Sequence, residues 1–377
     1  MKFSDIPGQD DIKQSLRQLA DSGRMPHALM LCGPAGIGKM CVARAFMQYA
    51  HCSDPRGGEP CGVCDSCRQH LSFNHPDVHY IYPYVANKAQ NIQLASDRID
   101  EWRKMLSDYP WMPQEKWQQI IEAGNSQPVI YVRDADNIVR QEAYSSYTSK
   151  YKFFVIWLPE KLNVEAANKL LKVIEEPTEG TVFMLVSDSE SEVLPTIKSR
   201  MRRLNMHPAD ATDLETFVRN RHKLDDANAR NIARLAEGRV AKAEELATNS
   251  GEREEFRDLF QEIMRSAYAK RPARLREIAD KSAGLGREKL RRFFDYMILM
   301  ARENFIYNMR IPSLNSMTSD EENFSMRFSP FIHHGNIEEL VMRIEEASRD
   351  IARNGNSKLV LFSLFLYIIP ILHKKAG

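Results

Sequence analysis

The sequence predicts an α/β core, a parallel sheet with helices on both faces, followed by helix alone. Three observations carry this. The apolar run Ala28-Leu29-Met30-Leu31-Cys32 leads into Gly33-Pro34-Ala35-Gly36-Ile37-Gly38-Lys39-Met40 and then into a helical pattern, the strand, loop and helix of a phosphate-binding unit. Further continuous apolar strands alternate with helices, as expected of strands buried on both faces. After Pro208 only helical periodicity remains.

In chain order, Ile12 to Asp21 has apolar positions at helical spacing, and the helix after the glycine-rich loop runs through Val42-Ala43-Arg44-Ala45-Phe46 into a group of cysteines. Strands are expected at Val78 to Tyr82, Phe153 to Trp157 and Thr181 to Val186, with a helix from Val164 to Glu175. Residues 86–127 interrupt this alternation and hold Trp102, Trp111 and Trp117, three of the four tryptophans. Ile99, Trp102 and Leu106 share one helical face there, so a helical hairpin packed on the core is expected, with a partner surface as the second reading. Pro208 opens a small helical unit, and a longer helical region starts near Ser250-Gly251. The expected domains are therefore 1–207, 208–250 and 251–377.

At 377 residues the chain is too long for one core, and 43% hydrophobic residues suffice for several. Lysine plus arginine (52) nearly balance aspartate plus glutamate (51), so no global field draws in nucleic acid. The amino terminus lacks a signal-peptide pattern. The longest apolar run, Leu359 to Leu372, is broken by Ser363 and Pro370 and is short for a bilayer. A cytoplasmic protein without membrane contact is expected, with reduced thiols.

In a phosphate loop the glycines at Gly33, Gly36 and Gly38 let backbone N–H groups wrap phosphates, and Lys39 pairs with the outer ones. The next residue supplies a hydroxyl to Mg²⁺, but here it is Met40, whose thioether is a poor ligand for a hard cation. Cys52, Cys61, Cys64 and Cys67 form a C-x8-C-x2-C-x2-C array with turn residues Gly57, Gly58, Pro60 and Gly62. Four thiolates gathered by tight turns favour structural Zn²⁺, with His51 or His70 as substitute ligands. An iron-sulfur cluster would place its fourth cysteine later, before proline, and disulfides would suit a secreted chain. Cys32 and Cys41 read as small apolar core residues.

Taken together, Phe3-Ser4-Asp5-Ile6-Pro7-Gly8-Gln9, Gly23-Arg24-Met25-Pro26-His27-Ala28, the loop, the cysteine module after its helix, Asn168 to Pro177 and Thr196-Ile197-Lys198-Ser199-Arg200 resemble the bacterial clamp-loader subunits of the AAA+ superfamily. The resemblance covers residues 1 to about 207. It implies an AAA+ core with an inserted zinc module, a small helical lid and an all-α collar. It also implies a hetero-pentameric ring with gamma/tau and delta types of subunit, acting on a sliding clamp and primer-template DNA through the assembly.

The departures from the family pattern are specific. Its Mg²⁺-binding aspartate and catalytic glutamate fall on Trp157 and Leu158, and the nearest acid, Glu160, lies past Pro159. Its lid-domain sensor arginine aligns with Ala241, with Arg239 out of register; Ser187 lies near the first sensor position. Without these groups neither metal nor attacking water is held. The resemblance then implies a non-hydrolysing subunit with no Mg²⁺ and an empty or weakly occupied ATP/ADP site, in which Lys39 holds phosphates without metal or neutralises a carboxylate. Arg200, with Ser199, is implied to be an arginine finger acting in trans, although Met201 replaces the usual cysteine. Two alternatives are an active gamma/tau-type ATPase and a zinc-containing DNA-binding or repair factor. Taken alone, Arg200 with Arg202 and Arg203 also reads as a solvated basic turn, and the basic stretch from Arg265 to Arg292 reads as a solvated helix face. Leu290 to Arg302 and Ile337 to Ile351 have helical spacing, and Leu359 to Leu372, apolar on nearly every side, is the implied collar contact.

Overall fold

The computed structural model describes residues 1–374 except 88, 125, 249 and 311–316, with the side chains of 250 and 319 also outside the description. Two positions of the expected 86–127 insertion, Lys88 and Asn125, thus lie outside the described residues, as does Asn249 beside the expected boundary at 250–251. The chain forms two compact units, one of residues 1–224 and 232–245 and the other of 225–231 and 246–377.

The elements of the first stretch are α1 (Asp10–Asp21), β1 (Ala28–Cys32), α2 (Lys39–His51), α3 (Asp65–Leu71), β2 (Val78–Ile81), α4 (Ile99–Asp108), α5 (Gln114–Ile120), α6 (Val132–Glu142), β3 (Lys152–Trp157), α7 (Val164–Glu175), β4 (Thr181–Ser187), α8 (Pro195–Lys198), β5 (Arg202–Asn205), α9 (Ala211–His222), α10 (Asp226–Ala236) and α11 (Val240–Thr248). The five strands form one parallel sheet in the order β2-β3-β4-β1-β5. β1, β3 and β4 are buried along their whole length, which is why they read as continuous apolar runs. β5 was not expected. It is an edge strand whose Arg202, Arg203 and Asn205 face solvent while Leu204 alone is buried, and charge on an edge strand hides it from an apolar pattern while blocking further pairing.

α2 is buried on nearly every side, so its amphipathic period is weak. α7 starts at Asn163, whose side-chain oxygen accepts the Ala166 N–H (2.7 Å), a standard cap. The interruption after β2 holds α4 and α5, as a helical hairpin requires. Trp102 and Trp117 are fully buried and meet edge to face at 5.4 Å between ring centres. Tyr82 stacks on Trp102 at 4.1 Å, and Trp157 from β3 lies 5.3 Å from the same indole. These tryptophans are core, and their large apolar area favours that burial.

The second unit contains α12 (Ser250–Tyr268), α13 (Pro272–Ser282), α14 (Arg287–Asn308), α15 (Ser319–Phe328), α16 (Ile337–Ala352) and α17 (Ser357–Leu372). Phe260, Met297, Ile344 and Phe365 are among its core residues. Glu321, almost without exposure, receives two bonds from Arg253 (2.8 and 2.7 Å), one from the Tyr296 hydroxyl (2.9 Å) and one from the Thr318 N–H (2.7 Å). α17 buries Leu361, Leu364, Phe365, Ile368 and Leu372 but exposes Leu359, Ser363, Tyr367 and Pro370. The all-round burial suggested by its composition is therefore met on one face only within this chain. Of the ten basic residues from Arg265 to Arg292, four are ion-paired: Arg274 with Glu262 and Glu277, Lys289 with Glu255, Arg291 with Glu288 and Arg292 with Glu252. No described helix is long and apolar enough to cross a membrane.

Candidate functional site

The glycine-rich loop lies between the end of β1 and the start of α2, and its glycines adopt positive φ: +152° at Gly33, +77° at Gly36 and +95° at Gly38. A Cβ on Gly33 would lie 2.4 Å from the Met206 carbonyl oxygen, and one on Gly38 would lie 3.2 Å from the Trp111 ring. The loop is thus packed against its own chain at Gly33 and Gly38, where a side chain would not fit without a shift. The Gly36 carbonyl accepts the Ala241 N–H (2.9 Å), so Ala241, where the lid arginine was expected to align, contacts the loop through its backbone.

Lys39 opens α2 with its side chain turned into the loop. Its ammonium donates to the carbonyls of Gly33 (2.6 Å) and Pro34 and pairs with the Asp188 carboxylate at 2.8 Å. An ammonium has three protons, and these three acceptors use them all. Met40 is buried. Trp157 belongs to the aromatic core, and Leu158 is buried with φ +57°. Glu160 accepts the Ser187 hydroxyl and the Asp188 N–H, both at 2.9 Å. Burial pushes its carboxyl above the usual range despite those donors.

Arg200 follows the short helix α8. Its Nε donates to Glu175 Oε2 (2.8 Å) and its Nη1 to the Thr196 carbonyl (2.9 Å), which also accepts the Ser199 hydroxyl (3.1 Å). About a third of the Arg200 side chain (32%) stays exposed. Arg202 is exposed, while Arg203 pairs with Glu190 at 2.6 Å.

The sulfurs of Cys52, Cys61, Cys64 and Cys67 lie within 4.8 Å of one another, with Cys61 and Cys67 at 3.9 Å. Tetrahedral zinc at about 2.3 Å from each sulfur separates sulfurs by about 3.8 Å, so the donor set fits structural zinc. Backbone N–H groups also aim at the sulfurs: Cys61 N–H at Cys52 (3.2 Å), Cys64 N–H at Cys61 (3.4 Å) and Cys67 N–H at Cys64 (3.5 Å). The N–H groups of Val63 and Cys64 hold the Cys61 thiol below its ordinary pKa, whereas burial raises Cys52 and pushes Cys67 up to about 12. Burial pushes the Cys32 and Cys41 thiols up to about 11 and about 12, the inert state of core cysteines. The module is tied to the core by Glu59, whose carboxylate accepts the N–H groups of Phe3 (2.8 Å) and Ser4 (2.9 Å) and pairs with Arg17 (3.2 Å).

His51 and His70, the expected substitute ligands, face one another rather than the sulfurs, with His51 Nδ1 and His70 Nε2 3.0 Å apart. With His75 they form a second buried group whose ring nitrogens also converge within 4.8 Å. Their hydrogen bonds argue against metal there. His51 Nε2 donates to the Tyr151 carbonyl (2.9 Å), and His75 Nδ1 accepts the Asp77 N–H (3.2 Å), which puts the His75 proton on Nε2 beside Ser66 Oγ (3.1 Å). Both His75 nitrogens are then used, and the cluster works as a hydrogen-bonded staple between α2, α3 and the start of β3. Sequence reasoning missed this staple, Glu59 and Asp188 because each acts through partners far away in the chain.

Compared with known proteins, the chain matches at residues 8–210 the model of a family described as DNA polymerase III, delta subunit. The chain belongs to this family. It is a clamp-loader subunit of the delta-prime type, in the AAA+ group. The delta-prime subunit of Pseudomonas aeruginosa is 31% identical over 203 residues, covering 54% of this chain and 50% of that protein. A gamma/tau subunit of Mycobacterium tuberculosis is 26% identical over 198 residues, 52% of this chain and 27% of the other. The chain thus spans at most about half the length of these curated relatives. A solved gamma-subunit-related protein of Thermotoga maritima has 15% identity and a TM-score of 0.42, with 96% of this chain and 99% of the other covered.

Proposed function

We propose that this delta-prime-type chain is a non-hydrolysing member of the replicative clamp loader. It is a fixed part of a cytoplasmic hetero-pentameric ring with gamma/tau- and delta-type subunits, and it supports ATP-dependent loading of the sliding clamp onto primer-template DNA. Residues 1–207 act as the AAA+ core, 208–250 as the lid and 251–377 as the collar. The observation that carries this reading is the saturation of Lys39 by Asp188 and two loop carbonyls. With Met40, Trp157 and Leu158 where ligands are needed, the chain lacks the groups that bind metal and orient water in phosphoryl transfer.

Arg200 contributes in the opposite sense. It is partly exposed and held by Glu175 and the Thr196 carbonyl, and its guanidinium stabilises negative charge on a phosphoryl group in the neighbouring subunit's site. Cys52, Cys61, Cys64 and Cys67 hold zinc, which fixes the module's fold and leaves no coordination position for substrate. The apolar strip of Leu359 and Tyr367 on α17 supports a collar contact with other subunits.

The test is ATPase activity of the reconstituted loader with clamp and primed DNA. Loss with Arg200→Ala in an intact assembly, and retention with Lys39→Ala, supports the proposal. Hydrolysis by the purified chain that vanishes with Lys39→Ala would establish the gamma/tau-type alternative. Tight, salt-sensitive DNA binding by the isolated chain would favour the DNA-binding alternative, and co-purification with loader subunits would argue against it.

A further inference from the structure

Glu175 ends α7, where the helix carbonyls already carry partial negative charge, so a carboxylate there is unfavourable for the helix. Glu176 and Pro177 follow it directly. Its observed partner is Arg200, 25 residues later in the chain, whose Nε it accepts at 2.8 Å. The carboxylate does not take the guanidinium by its two-nitrogen edge, the usual way an arginine is sequestered. It binds Nε only, and the Thr196 carbonyl takes Nη1. Nη2 has no partner among the described residues, and the side chain keeps 32% exposure. The root of the guanidinium is fixed from two directions while its far end is presented.

We infer that Glu175 is a positioning residue for Arg200. Its carboxylate sets the direction in which the guanidinium leaves the surface, so the finger is ordered before a neighbouring nucleotide site meets it. Positioning a charged group in advance lowers the entropy lost in the transition state. This rests on the arginine-finger reading, and the experiment separates the two. Both residues come from stretches distant in sequence, the end of the Asn168 to Pro177 segment and the Ser199-Arg200 turn, so their pairing is visible only in the fold.

The experiment is steady-state ATP hydrolysis by the reconstituted loader with clamp and primed DNA. It compares wild type, Glu175→Gln, Glu175→Asp, Arg200→Ala and the double variant Glu175→Gln/Arg200→Ala, each checked for intact assembly by sedimentation. Glu175→Gln keeps the shape and removes the charge. For an exposed pair the expected loss is about two- to five-fold in kcat, with KM for ATP unchanged, partial recovery in Glu175→Asp and no further loss in the double variant relative to Arg200→Ala. Loss with Arg200→Ala but none with Glu175→Gln would overturn the positioning role and leave the finger intact. No loss with either would remove the finger reading and this inference with it. A gain in kcat with Glu175→Gln, or an equal loss in the Arg200→Ala background, would show that Glu175 stores the arginine or acts elsewhere, and would also overturn it.

Discussion

Replacing Lys39 with methionine tests the closed phosphate loop most directly. In a working nucleotide site the lysine faces solvent or ligand, and its loss costs binding with little stability. Here Lys39→Met leaves the Asp188 carboxylate without its cation and the Gly33 and Pro34 carbonyls without a donor. Breaking a buried pair costs roughly 3–5 kcal/mol. Because the Asp188 side chain keeps 17% exposure, solvent screening takes the cost below that range, to about 2–3 kcal/mol. All four tryptophans, Trp102, Trp111, Trp117 and Trp157, lie in the first compact unit. Tryptophan emission during urea unfolding therefore follows that unit without a signal from the helical one. The expected result is a lower midpoint for Lys39→Met, at unchanged slope, with most of the loss recovered in Lys39→Met/Asp188→Leu, where neither charge remains. A loss below about 0.5 kcal/mol, the size of an ordinary surface change, would refute the reasoning. So would a midpoint raised by saturating Mg-ATP in wild type.

Other expectations follow from the same geometry. Chelation of zinc, with its loss confirmed by metal analysis, should make residues 52–67 sensitive to protease; an unchanged digestion pattern would argue against a structural role. Glu321→Gln should lower the stability of the helical unit by about 3 kcal/mol, because Arg253 then loses its buried partner, and helical circular dichroism in urea would read it. Arg253, the Thr318 N–H and the Tyr296 hydroxyl outweigh burial and hold the Glu321 carboxyl below its usual range. Its contribution is therefore complete above the ordinary glutamate range and lost as pH falls through the depressed value. Burial pushes His51 and His70 down to about 3 and about 2. The unfolded chain binds those protons first, so the first unit is fully stabilised above about pH 6.5 and weakens steadily below it. Flat tryptophan-monitored stability between pH 7 and pH 5 would contradict the buried neutral cluster.

How much of this was legible in the sequence depended on whether a residue's partner was local. β1, β3 and β4 were readable because they are buried on both faces, and α7 because its cap and apolar spacing lie within one stretch. β5 was not, since Arg202 and Arg203 mask a strand that pairs with β1 on one side only. The four cysteines were readable by spacing. The histidine staple was not, because His51 depends on the carbonyl of Tyr151, a hundred positions away. Lys39 could be recognised as a phosphate-loop lysine from its neighbours alone. Only the fold brings Asp188 to it.

The strand order also bears on how the chain is made. β1 lies between β4 and β5, and about 150 residues separate its end from the start of β4. At roughly 5–20 residues per second on a ribosome, Ala28-Leu29-Met30-Leu31-Cys32 waits on the order of ten to thirty seconds for its first strand partner. During that interval five apolar residues with unpaired backbone groups follow the nascent chain out of the exit tunnel. A chaperone or early packing against α1 and α2 must shield them, and the yield of soluble protein will depend on how fast translation reaches Thr181.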